Sequence, residues 1–181
     1  MSVDAKALVG LGRGRAEEVS PLEAEVVELF DQLRDRLLRY VLTFGLAAAD
    51  CEEVVQESFL ALFRHLQLGR SRENLPGWLF RVGHNLALKK RRRYKWQSTE
   101  KPDLLMADPG PGPDRLFATN QTQSRLLSVV QALPERDRRC LELRVEGFRY
   151  RDIAEMLGMS LGAVSMSLAR SLGRIARAAE R

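Results

Sequence analysis

Between two stretches of regular apolar spacing the chain reads QSTEKPDLLMADPGPGPDR, residues 97–115, with prolines at 102, 109, 111 and 113. Proline stiffens such a segment into a linker rather than a packed element. The folded part of the chain is therefore split in two, residues 21–96 and 116–181, or about 75 and 65 residues. Cores of that size are marginal by themselves and gain from docking on something larger. Residues 1–20 hold Gly10, Gly12 and Gly14 with little periodicity and read as a flexible arm. No strand precedes these glycines, so they do not form a phosphate loop.

Within each half the apolar residues recur at helical spacing. Leu22, Val26, Phe30, Leu33, Leu37, Val41 and Phe44 line one face of a first helix that Gly45 can end. Asp50 and Glu53 stand in capping-box relation at the start of a second helix, whose stripe is Val55, Phe59, Leu62, Phe63 and Leu66. The pattern stops around Gly69 in a polar loop. Pro76, at a first helical position, opens a third helix through Trp78, Leu79, Val82 and Leu86. That helix ends in KKRRRYK, Lys89 to Lys95, more positive charge than a helix C-terminus requires. The second half starts with a helix around residues 121–132, followed by one that begins at Pro134 and ends at Gly147. Aromatics are few and no long period-two alternation occurs, so the fold class is all-α: two small helical domains joined by a Pro-rich linker.

The charge is unevenly placed. The net charge is +5, yet residues 21–60 carry nine acids against three bases, and residues 61–100 carry ten bases against two acids. Such polarity suggests two different partners, one of them polyanionic; solvated helix faces of opposite sign are the plain alternative. No apolar run approaches the roughly 18 residues of a membrane span. The N-terminal stretch lacks the apolar core of a signal peptide, which places the chain in the cytoplasm without membrane insertion. Cys51 and Cys140 lie far apart and read as small buried hydrophobes. With His65 and His84 they form no metal-ligand cluster, so no metal and no cofactor is expected.

Near the C-terminus, Tyr150 to Ile175 has the spacing of a helix-turn-helix. Counted from Tyr150, the fifth residue is the small Ala154, the ninth is Gly158 and the fifteenth is Val164. Ala154 lets the two helices cross closely, Gly158 supplies the left-handed turn, and Val164 packs the second helix on the first. Ser160 is a natural N-cap for that second helix. GMSLG, Gly158 to Gly162, also fits the nucleophile-elbow pattern in form, but an elbow needs a strand before it, and here a helix precedes. No catalytic residue is expected, and the protein is not read as an enzyme.

Together these pieces resemble a family. EEVVQESFLALFRHL followed by LPGWLFRVGHNLALKKRRR is similar to region two of bacterial RNA polymerase sigma factors. LPERDRRCLELRVEGFRYRDIAEMLGMSLGAVSMSLARS is similar to region four. The short separation resembles the extracytoplasmic-function (ECF) group. The resemblance implies a sigma factor that binds core RNA polymerase and directs promoter recognition and DNA melting. Its implied partners are core polymerase, double-stranded promoter DNA, the melted non-template strand and an anti-sigma factor. The alternative is a helix-turn-helix regulator that is not a polymerase subunit.

The resemblance also implies roles for residues. Glu53, Gln56, Glu57 and Phe59 would dock on the polymerase clamp helices. Arg70, Arg72, Asn74, Trp78 and Asn85 would serve the minus-ten element, with Lys89, Lys90, Arg91 and Arg92 tracking phosphates upstream. For Trp78 a core position is the favoured reading. Arg149, Arg151, Ser160, Leu161, Gly162, Ser165, Met166, Ser167, Ala169, Arg170 and Arg174 would meet the minus-thirty-five element. Two departures stand out. Lys89 occupies a position where the family often has an acid, and Ser165 and Ser167 stand where relatives commonly carry bases. The recognition helix would then hold its charge at its flanks.

Overall fold

The computed structural model describes residues 20–100 and 121–179, so the arm up to residue 19 and most of the linker lie outside the described residues. Seven α-helices are present among the described residues and no strand. They form two compact units, each with its own core.

The first unit contains α1 (Pro21–Leu42), α2 (Ala48–Gln67) and α3 (Leu75–Glu100). α1 starts in a full capping box. The Ser20 hydroxyl accepts the Glu23 N–H at 3.2 Å, and the Glu23 carboxylate accepts the Ser20 N–H at 3.0 Å. The apolar stripe of α1 then buries Phe30, Leu33, Leu37, Tyr40 and Val41 against Val54, Val55, Phe59 and Leu62 of α2. Phe30 meets Phe59 edge-on, with ring centroids 4.9 Å apart. From α3 the core takes Leu79, Phe80, His84 and Ala87. The Tyr40 hydroxyl and His84 Nδ1 share a buried 2.7 Å hydrogen bond, which lets an imidazole sit in an apolar core. Gly83 permits the approach of α3: a Cβ there would lie 2.8 Å from Leu37 Cδ1.

Two boundaries differ from the sequence reading. α2 begins at Ala48, with Ala47 as a cap that makes no side-chain hydrogen bond. Asp50 is thus inside the first turn rather than the N-cap, because its carboxylate is taken up by Lys90 and Tyr94. α3 continues to Glu100, four residues into the expected linker. No proline occurs between Pro76 and Pro102, so nothing in those four residues stops the helix.

The second unit contains α4 (Gln121–Gln131), α5 (Glu135–Val145), α6 (Tyr150–Leu157) and α7 (Leu161–Ala179). Leu133, Cys140, Leu143, Phe148, Ile153, Val164 and Leu168 form its core. The α6–α7 turn follows the sequence expectation. Gly158 is left-handed at φ 61°, and Ala154 and Val164 are buried where the helices cross. The Ser160 hydroxyl accepts the Ala163 N–H at 3.2 Å and caps α7. Both cysteines are buried free thiols. Burial, reinforced by Asp50 and Glu52, pushes the Cys51 thiol up to about 11. Among the described residues no helix is long and apolar enough to cross a membrane.

Candidate nucleic-acid and docking interface

Three surfaces bear on function, and the residues of each are set by helix phase. On α2 the apolar stripe faces inward, so the intervening positions face out. Glu53, Gln56 and Glu57 are exposed, although the Glu53 carboxylate already accepts from Lys90. Phe59 is not available to a partner: at 1% exposure it belongs to the core, one turn on from buried Val55 and on the same inner face. Its place in the docking set is corrected on that ground.

The loop after α2 is tied down locally. His65 Nε2 lies 2.8 Å from the Ser71 carbonyl, and the His65 ring carries the Trp78 indole with centroids 4.4 Å apart. Trp78 is half-buried, at the rim of the core rather than inside it. Asn74 takes a positive φ of 49°, and its side-chain oxygen accepts the Gly77 N–H at 3.2 Å. That carbonyl thus helps to start α3, while the residue itself stays exposed. Arg72 forms an ion pair at 3.2 Å with Glu25 of α1. Arg70 and Asn85 are exposed.

The basic end of α3 is less uniform than its sequence. Lys90 donates to Asp50 Oδ1 at 2.7 Å and to Glu53 Oε2 at 2.5 Å, with 17% of its side chain exposed. Its ammonium is already neutralised, which corrects its assignment as a phosphate contact. The Tyr94 hydroxyl donates to Asp50 Oδ2 at 2.5 Å. These groups and Arg93 line an open pocket of about 290 Å³. Hydrogen bonds from Lys90 first, then Tyr94, hold the Asp50 carboxyl below its usual range. For Lys90, burial opposes the charge, but Asp50 and Glu53 outweigh it and raise the pKa. Arg91 is half-buried, with its guanidinium 5.9 Å from the Phe44 ring centroid. Lys89, Arg92 and Arg93 are exposed and form the outer strip. Trp96, 72% exposed beyond that strip, was passed over in the sequence reading; an aromatic interleaved with bases was the available signal.

On α7 the phase of the helix separates the two serines. Ser165 is exposed, whereas Ser167 is fully buried and donates to Asp137 Oδ1 at 2.6 Å. Ser167 is thereby removed from the DNA-facing set. Arg170 also turns to Asp137, with Nη2 3.0 Å from Oδ1 and Nε 3.3 Å from Oδ2. Arg170 first and Ser167 after it hold the Asp137 carboxyl below its usual range, against the effect of burial. Asp137 lies on α5, 30 residues before Ser167, and no local pattern announces it. The remaining leading face of α7 presents Leu161, Gly162, Ser165, Met166 and Ala169, all without charge. Arg149 and Arg151, at the start of α6, and Arg174, later in α7, are exposed.

A capped helix-turn-helix beside exposed arginines defines a helix-turn-helix protein of the nucleic-acid-binding class. The comparisons narrow that class. Residues 29–97 match the family described as Sigma-70 region 2, and residues 123–175 match Sigma-70, region 4. The chain belongs to the sigma-70 family of RNA polymerase sigma factors, in its ECF group. It is 29% identical over 148 residues to the ECF RNA polymerase sigma factor SigE of Mycolicibacterium smegmatis, covering 79% of this chain and 57% of that one. It is 24% identical over 157 residues to the ECF RNA polymerase sigma factor RpoE of Cereibacter sphaeroides, covering 84% of this chain and 85% of that one. The chain thus spans little more than half the length of the SigE relative. In fold it is similar to the sigma factor RpoE solved with the anti-sigma factor NepR from Bartonella quintana. The TM-score is 0.67 at 16% identity, over 84% of this chain and 95% of that one.

Proposed function

We propose that this protein is a promoter-specificity subunit of RNA polymerase, which binds the core enzyme and directs promoter recognition and DNA melting without a catalytic step of its own. The observation that carries this reading is the presence of region 2 and region 4 in order on one chain, with exposed bases on α3 of the first and exposed arginines on α6 and α7 of the second. In this reading residues 21–96 form the domain that docks on the core enzyme and serves the minus-ten element. Glu53, Gln56 and Glu57 meet the polymerase, and Lys89, Arg92 and Arg93 meet phosphates upstream of the melted non-template strand. Residues 116–181 form the minus-thirty-five domain, joined to the first by the Pro-rich segment 97–115. The protein acts in the cytoplasm, with an anti-sigma factor as a further partner; the similar fold solved with such a factor supports that extension.

The test is run-off transcription from a genomic promoter library with core RNA polymerase, with and without the protein. Discrete start sites that appear only in its presence are expected. Duplex binding without core enzyme, and no change in start sites with it, would favour a free-standing helix-turn-helix regulator.

A further inference from the structure

The leading face of α7 carries no cation, amide or carboxylate. Leu161 is 57% exposed and Met166 64%, with Ser165 and Ala169 between them. The nearest arginine on the helix, Arg170, is drawn sideways onto Asp137. This arrangement restricts what the helix can read. Guanine is ordinarily recognised by Arg or Lys at O6 and N7, adenine by Asn or Gln at N6 and N7, and cytosine by a carboxylate at N4. None of those side chains is on this face. The feature of the major groove that an apolar side chain can detect is the thymine C5-methyl group.

The surroundings point to a polyanion rather than an apolar protein as the occupant. Arg149 and Arg151 stand exposed at the start of α6, and Arg174 and Arg177 further along α7. Arginines exposed at the start of α6 and further along α7 match the phosphates that border a groove. Ser160 caps α7, so Leu161 and Gly162 lie in its first turn, the part of a recognition helix that contacts base edges.

We propose that α7 selects its promoter element through thymine methyl groups, which pack against Leu161, Met166 and Ala169, while the flanking arginines hold the phosphates. The proposal rests on the reading of this helix as a DNA-binding element. Specificity then comes from burial of methyl groups instead of bidentate hydrogen bonds, and each base pair is discriminated only modestly.

The experiment uses the full chain assembled with core RNA polymerase. Duplexes randomised over the upstream element are selected for binding and should be enriched in thymine on one or both strands. The selected duplex is then remade with deoxyuridine in place of thymidine in that element alone, which removes the methyl groups and keeps every hydrogen-bonding group. Affinity should fall by about fourfold for each methyl that is buried. That sensitivity should shrink in Met166→Ala and Leu161→Ala, both surface positions whose change leaves the fold intact. Equal affinity for thymidine and deoxyuridine duplexes, with the upstream element still protected from nuclease, would overturn the proposal and leave DNA binding standing. Absence of any upstream protection would overturn both. Deoxyuridine sensitivity that persists undiminished in both variants would place the methyl contact elsewhere and would also overturn it.

Discussion

The basic end of α3 and α7, the second helix of the helix-turn-helix, treat their positive charge in the same way but with opposite results. In each, an acid from a neighbouring helix captures a base that the sequence offers to DNA. Asp50 and Glu53 of α2 capture Lys90, and Asp137 of α5 captures Arg170. At α3 the loss is minor, because Lys89, Arg92 and Arg93 remain exposed around the captured lysine. At α7 the leading turns hold no second base, so the capture leaves the face neutral. Exposed bases therefore remain on the strip of α3 itself, whereas around α7 they lie off its leading face, at Arg149, Arg151 and Arg174. The lesson is that a count of bases along a helix overstates its cationic face wherever a packed neighbour supplies a carboxylate.

The largest expected effect sharpens the α7 side of that comparison and is on stability. Ser165→Arg and Ser167→Arg look equivalent in sequence, but one side chain is exposed and the other fully buried. Ser167→Arg forces a guanidinium into the core and removes the hydrogen bond to Asp137. A loss of about 3 kcal/mol or more is expected, enough to unfold a unit of this size. Ser165→Arg should change stability by only about 0.5 kcal/mol. Urea denaturation followed by circular dichroism checks both. Equal behaviour of the two variants would mean that α7 is rotated from the phase described.

The next effect is on DNA affinity. Lys89→Ala, Arg92→Ala and Arg93→Ala combined should lower the slope of log affinity against log salt by about 0.9 per lost phosphate contact, near three units in total. Lys90→Ala should leave the slope unchanged and cost about 1 kcal/mol of stability, since the residue is held by Asp50 and Glu53. A salt titration with promoter duplex and polymerase holoenzyme decides. A slope that falls with Lys90→Ala would restore it as a phosphate contact.

A smaller effect follows from protonation. Asp137 and Asp50 both have folded pKa values held below their unfolded ones, by Arg170 and by Lys90 respectively. Each contributes stability that is present above the unfolded carboxylate pKa of about 3.9 and is lost as pH falls through the depressed folded value. Acid denaturation should therefore steepen below about pH 4. Asp137→Asn should flatten that limb for the second unit, and Asp50→Asn for the first. Lys90 runs the other way: its raised pKa gives a contribution that is complete below about 10.4 and lost above the folded value. Acid limbs unaltered in both Asn variants would show that neither carboxylate titrates as described.

Much of the fold was legible in the sequence, because it follows from periodicity. The all-helical class and the α6–α7 turn at Gly158 come from residues that act within one or two turns of themselves. The errors share a cause. Phe59 and Ser167 fell on inward faces, and the inward face of a helix is decided by which neighbour it packs on. Asp50 looked like an N-cap because the local spacing allowed it, but its partners Lys90 and Tyr94 come 40 and 44 residues later. Asp137 gave no local signal at all. Charge capture between helices is a tertiary event, invisible to a reading that proceeds along one helix at a time.

The finest test restores charge where the second unit lacks it. Ser165 is exposed on the leading face, in the turn after Leu161, so an arginine there can point into a groove without disturbing the core. Ser165→Arg adds one phosphate or base contact and should steepen the salt slope by about 0.9, a gain of a few-fold in affinity at moderate salt. The gain should be the same whether or not the three exposed bases of α3 are present, since the two surfaces lie on separate units and distant substitutions add. The arginine can also pair with guanine, so selected sites should acquire a guanine at one position while retaining thymines under Met166. Affinity that rises without any change in the selected sequence would mean that residue 165 meets only the backbone, and that α7 lies further from the bases than its phase and cap suggest.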